Sequence, residues 1–238
     1  MVLFFGFFFV CFNFLFFLYI FFNIPEYIFG LVAFIIGILG YIISLILTPD
    51  YIMWRLSISN LLLEEFGYFA RIGLIVSNTI AIPYIIVLGR TQIHENANEF
   101  IRKIAVFAGI FACVNAILTG IVAAHHPIIA TLHGLFVLLS WISGAITTFA
   151  FSLLMLKNPN FSKLIIISGF LVAGIFIGFL IPFFITNFCS YFPAFCYSFG
   201  QMVYVVLPTW EWAVVLSILY WYFSNSLYMF YKKDLLFS

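Results

Sequence analysis

The fold class predicted by this sequence is all-α: a polytopic transmembrane helix bundle, with a six-helix core and one extra N-terminal span. Three observations carry that expectation. Of the 238 residues, 66% are hydrophobic and only 7% are charged, and the mean hydropathy is +1.24. A soluble domain carries about 25% charged residues; this chain could not cover a water-facing surface, so its solvent is lipid. The apolar runs are also continuous, whereas the strands of a membrane β-barrel alternate over about ten residues. A net charge of +1 gives no sign of nucleic-acid binding.

A helix needs about 20 apolar residues to cross the hydrocarbon core. On that rule seven spans are expected, at 2–22, 28–48, 69–88, 104–124, 128–156, 164–187 and 209–231. The first belongs to the opening run MVLFFGFFFVCFNFLFFLYIFF. It has no basic leader and no small-residue cleavage site, so it reads as a retained span rather than a signal peptide. The division is therefore 1–27 for an extra helix and link, 28–231 for a six-span core, and 232–238 for a tail. Pro25, Pro49, Pro127, Pro159 and Pro208 fall at expected helix ends, where a missing N–H does least harm. Pro83 and Pro182 lie inside spans and are expected to kink them.

Orientation follows from Lys and Arg in short loops. Arg90, Arg102, Lys103, Lys157, Lys163, Lys232 and Lys233 all fall on one side, leaving Arg55 and Arg71 on the other. The expected protein is multi-pass in a plasma or cell membrane, with a cytoplasmic C-terminus. The connections 49–68, His125-His126-Pro127 and 188–208 then lie outside, with most of the unusual polar residues.

His126 and His133 are seven residues apart, about two turns and roughly 10 Å along a helix axis. Zinc needs three or four ligands at about 2.0–2.2 Å, so this pair cannot share an ion on a straight helix. A zinc site would need His126 or His133 with Glu211, Glu64 or Asp50 from other elements. That is the lesser alternative, and the expectation is no cofactor and no metal. His133, carried inward beyond Pro127, is expected to face the bundle, with Glu211 as its partner or as co-lining of a headgroup cleft. Glu211 itself lies in a first helical turn, where a carboxylate faces the helix N-terminus favourably. Its alternative partners are Arg71 or a cationic headgroup. Arg55, Arg71, Ser57 and Ser59 are candidates for a lipid phosphate, or for a surface helix with Arg paired to Glu64 or Glu65. No serine sits in a G-x-S-x-G elbow, so no Ser-His-Asp order is legible.

Cys189 and Cys196 share an outer loop and are expected to form a disulfide; Cys11 and Cys113 lie in spans and read as inert apolar residues. Gly174 and Gly178, and Gly30, Gly37 and Gly40, allow close helix approach. They serve packing within a monomer or, as an alternative, a homodimer.

Three patches carry a family resemblance: Pro49-Asp50-Tyr51 with Ser57-Ile58-Ser59-Asn60-Leu61; Leu132-His133-Gly134 with Trp141 and Gly144; and Trp210-Glu211-Trp212-Ala213-Val214-Val215. Their order and spacing resemble a prokaryotic membrane family known only as a domain of unknown function. They are also similar to the eukaryotic Frag/DRAM/Sfk superfamily. The likeness covers about residues 28–231, with Asn60, Leu62 and Phe136 departing from the usual residues. It implies a six-helix bundle with both core termini cytoplasmic. It also implies a membrane-lipid theme, since eukaryotic members act in lipid remodelling and lipid asymmetry, in lysosomal and autophagy regulation, and in mechanosensitive currents.

The functional expectation is a protein that binds or senses membrane lipid through an outer-face polar cleft. Its candidate residues are His133, Glu211, His126, Arg71, Arg55, Glu64 and Ser59, and membrane lipids are its partners. The alternative is a membrane-embedded, lipid-modifying enzyme. A channel or transporter is disfavoured because midplane charges are nearly absent.

Overall fold

A computed structural model of the chain describes residues 25–94, 97–122, 127–190 and 195–236. The expected span 2–22 and the turn residues His125 and His126 lie outside these residues. Among the described residues the chain is all-helical, with no strand. Six of its helices are long and apolar enough to cross a membrane: Glu26–Leu47, Gly67–Arg90, Glu99–Ile121, Ile129–Lys157, Lys163–Asn187 and Leu207–Tyr231.

The first long helix, α1 (Phe29–Leu47), follows a 3-10 turn at Glu26–Ile28. It stops where Pro49 forces the preceding residue out of the helical region, Thr48 taking φ −120° and ψ 71°. A short helix α2 (Ile58–Leu61) sits in the connection to α3 (Gly67–Arg90). Next come α4 (Glu99–Ile121), α5 (Pro127–Lys157), α6 (Lys163–Ser190), the short α7 (Phe195–Tyr204), α8 (Leu207–Tyr231) and a last turn α9 (Lys233–Leu236).

One boundary departs from expectation. The apolar pattern places the third core span at 104–124, yet α4 starts at Glu99. The reason is local chemistry. Asn98 accepts hydrogen bonds from the N–H groups of Phe100 (3.1 Å) and Ile101 (3.2 Å), which caps the helix end. Glu99 then pairs with Arg102 at 2.6 Å and Lys103 at 3.7 Å, one turn on. A charged first turn is thus helical although its composition reads as loop.

The six long helices form a closed ring. α1 packs on α3, α3 on α4, α4 on α5, α5 on α6, α6 on α8, and α8 returns to α1. Glycine lets the first of these pairs meet backbone to backbone: a Cβ on Gly40 would stand 2.8 Å from Gly73 Cα and 2.8 Å from the Phe69 carbonyl oxygen. Serine hydroxyls fasten the ring further. Ser44 Oγ donates to the Phe66 carbonyl (2.9 Å) and accepts from Ala70 N–H (2.9 Å). Ser226 Oγ donates to the Tyr27 carbonyl and accepts from Leu31 N–H at 3.0 Å. These bonds satisfy backbone groups left over at helix ends.

The expected helix-contact glycines divide. Gly30 and Gly37 meet the neighbouring helices α3 and α8, and Gly178 meets the Trp210 ring, but nothing lies within 4 Å of a Cβ on Gly174. The bundle has two dissimilar ends. The three ion pairs among the described residues, Arg90–Glu26, Arg102–Glu99 and Lys103–Glu99, all lie at one end. The other end carries α2, α7 and the α4–α5 connection.

Candidate functional site

The α2 end is built on one short helix. Ser57 begins α2 in extended conformation, and its hydroxyl accepts from Asn60 N–H (3.2 Å). The Asn60 side chain accepts from Ser57 N–H in return (3.1 Å). This reciprocal cap leaves the N–H groups of Ile58 and Ser59 without partners inside a four-residue helix. Glu211 faces them: its carboxylate lies against the backbone N–H groups of Ser59 and Ile58 and against the Ser57 hydroxyl. The Ser57 hydroxyl has a second acceptor in Asn60 Oδ1 at 2.7 Å, so its single proton serves one oxygen at a time. The helix N-terminus that the Glu211 carboxylate faces is therefore that of α2.

Aromatic side chains hold the same loop from below. Trp212 Nε1–H donates to the Leu56 carbonyl (3.3 Å). The Tyr51 hydroxyl lies 2.8 Å from the Leu56 carbonyl oxygen and 2.5 Å from that of Ser57. Burial holds the Tyr51 phenol protonated, its pKa raised well above the usual tyrosine value. The Trp212 hydrogen bond opposes that shift, and the Glu211 and Glu64 carboxylates add to it.

His133 is brought here too, 7% exposed on α5. Its Nδ1 lies 2.8 Å from the Val122 carbonyl oxygen and its Nε2 lies 3.1 Å from Ser59 Oγ. A carbonyl only accepts, so Nδ1 carries the proton and Nε2 accepts from the serine hydroxyl. This corrects the expected partnership: His133 pairs with Ser59, because α2 stands beside Glu211 and takes its carboxylate. Ser59 stands between the two, with its N–H toward Glu211 and its hydroxyl on His133.

The remaining candidates are spread out. Arg55 and Glu64 are exposed. Neither they nor Arg71 form an ion pair among the described residues, so the expected pairing of Arg with Glu64 or Glu65 is not formed. Arg71 Nε is buried without a hydrogen-bond partner. Cys189 and Cys196 lie at disulfide distance, with S–S 2.20 Å and Cα–Cα 4.9 Å, and link the end of α6 to α7. Among the described residues no three His, Cys, Asp or Glu side chains group as metal ligands.

Beneath α2 lies a cavity of about 40 Å³, walled by Ser59, Glu211, Tyr41, Thr119, Ser140 and Trp141 together with aliphatic side chains. A second, of about 70 Å³, lies inside the ring. It shares Tyr41, Leu74, Ala116, Ser140, Trp141 and Val215 with the first and draws its walls from all six long helices. Most of its polar lining is committed to backbone: Ser77 donates to the Ala33 carbonyl (2.7 Å), Ser140 to that of Ala112 (3.0 Å), and Thr147 to that of Ser143 (2.7 Å). Tyr41 differs, being 2% exposed with a buried hydroxyl that has no hydrogen-bond partner among the described residues. A buried, unpaired hydroxyl costs free energy, so this group gains from any hydrogen-bond partner brought to it.

Tyr41 is the residue that sequence reasoning missed. Its signal was faint: a phenol in a helix whose other side chains are apolar apart from Ser44. No protein-family model, curated protein or solved structure matches the chain.

Proposed function

We propose that this integral membrane protein binds a membrane lipid at the α2 end of its helix ring, facing the outer leaflet. The lipid's ester region sits against Tyr41, and the beginning of an apolar chain lies in the chamber within the ring. The carrying observation is the buried Tyr41 hydroxyl, without a hydrogen-bond partner among the described residues, on a side chain that lines two largely apolar, adjoining cavities. A largely apolar site with a few polar groups in its walls suits an amphiphile better than an ion or a sugar.

Size constrains the reading. At about 10–15 Å³ per water site, the outer cavity of about 40 Å³ holds about three waters. The space therefore admits a carbonyl group and a few methylenes, while the rest of the lipid stays in the leaflet. Arg71, without an ion pair and at the same end of α3, is suited to the lipid phosphate. The asymmetry of Lys and Arg supports the outward orientation.

The test is native mass spectrometry of the protein released from detergent. Retained phospholipid is expected for wild type, with at least a fivefold loss of occupancy in Tyr41→Phe, which deletes one hydroxyl and keeps the ring. A wild-type spectrum without bound lipid, or equal occupancy in Tyr41→Phe, overturns the proposal.

A further inference from the structure

The pairing of Ser59 with His133 goes beyond holding a loop in place. A serine hydroxyl within hydrogen-bond reach of an imidazole nitrogen, the other nitrogen fixed by a third group, is the arrangement that activates a nucleophile. Here Ser59 Oγ is 3.1 Å from Nε2, and the Val122 carbonyl holds Nδ1 at 2.8 Å. That contact fixes the tautomer in which Nε2 is free to take a proton. Ser59 also lines the outer cavity, and so does Tyr41, whose buried hydroxyl has no hydrogen-bond partner among the described residues. A neutral donor carried on the wall of the nucleophile's cavity can serve an acyl transfer where charge develops on the carbonyl oxygen.

We infer that Ser59 and His133 form a nucleophile–base pair that cleaves an ester of a membrane lipid, with Tyr41 as donor to the carbonyl oxygen. The inference rests on the lipid-binding reading of the same cavity. In the first step Ser59 Oγ bonds to the ester carbonyl carbon and its proton passes to His133 Nε2. The negative charge on the carbonyl oxygen meets the Tyr41 O–H. Collapse breaks the bond to the lipid's alcohol oxygen, which leaves with the proton from His133. Water then gives a proton to His133, attacks the acyl-Ser59 ester, and releases the fatty acid while Ser59 regains its hydrogen. Ester and water become acid and alcohol, with no other reactant. Val122 orients the imidazole through a neutral carbonyl rather than a carboxylate, so the imidazolium is less stabilised than in a triad and a slow enzyme is expected.

The structural alternative is that Ser59 merely ties α2 to α5, and one experiment separates the two. The full-length protein in detergent is treated with an alkyl fluorophosphonate, which bonds covalently to activated serines, and peptide mass spectrometry locates the adduct. The expected result is an adduct on Ser59 in wild type, none at that position in Ser59→Ala, and at least a tenfold slower rate in His133→Ala. Lipid retention is measured on the same wild-type sample. Retained lipid with no Ser59 adduct overturns the dyad and leaves the binding reading standing. An adduct without retained lipid does the reverse. Should His133→Ala fail to fold, the wild-type adduct decides, because an unactivated serine leaves Ser59 unlabelled among the chain's many other serines. Labelling spread over several serines overturns the inference as well.

Discussion

Removing the Glu211 carboxylate is the most informative perturbation of the α2 end. Glu211→Ala takes the carboxylate away from the three donors it faces: the N–H groups of Ile58 and Ser59, and the Ser57 hydroxyl. The hydroxyl has a substitute in Asn60 Oδ1, 2.7 Å away, so it is not orphaned. The two N–H groups have no other partner within the short helix. Leaving a buried donor unsatisfied costs about 1–3 kcal/mol each, which puts the dry limit at about 2–6 kcal/mol. The neighbouring cavity of about 40 Å³ has room for water to replace one contact. The expected loss is therefore about 2–4 kcal/mol, or roughly 4–16 °C in Tm at about 2–4 °C per kcal/mol for a chain of this size. Glu211→Gln keeps one carbonyl oxygen and should lose about half as much. Thermal unfolding in detergent, followed by tryptophan fluorescence, reads both variants; Trp212 lies on the same loop contact. A Glu211→Ala protein that melts within 1 °C of wild type would refute the claim that this carboxylate holds α2.

Three further outcomes are expected. Gly40→Ala places a methyl 2.8 Å from Gly73 Cα, and separating α1 from α3 should cost about 1–3 kcal/mol, visible as a lower Tm. Cys189 and Cys196, seven positions apart, should resist maleimide until a reductant is added; Cys189→Ser should cost about 2–3 kcal/mol through loop-closure entropy. The raised pKa of Tyr51 means that its stabilising contribution is whole below the ordinary tyrosine value of about 10 and is lost as the pH climbs above it. Tyr51→Phe should therefore show a shallower fall of Tm between about pH 10 and 11 than wild type, as a pH series of melts would record.

How much of this was legible beforehand depends on the range of the forces involved. Six spans were readable because burying about 20 apolar residues in lipid is a local property of the chain. The start of α4 was not, since a capping Asn98 and the Glu99–Arg102 pair outweigh an unfavourable composition. At the site, Glu211 was recognisable as a carboxylate facing a helix N-terminus, but which helix was not. That choice depends on the closing of the ring, which lays α8 against the loop before α3. The contact of Ser59 with His133 spans 74 positions and leaves no trace in either local pattern. Tyr41 was hidden for a similar reason: a phenol in an apolar run looks like another aromatic until its hydroxyl is found without a partner.

The ring's closure by α8 against α1 also has a temporal meaning. Tyr41 enters the membrane in the first described span, while Glu211 and Trp212 arrive only in the last. A nascent chain carrying α1 through α6 is therefore an open arc. Its α2 segment would lack the Glu211 carboxylate, and its cavities would lack the walls that α8 supplies. Completion of the last helix seals the arc, caps α2 and creates the chamber in one event. Newly made protein should thus acquire its closed ring and its cavities together, once its final span is in place.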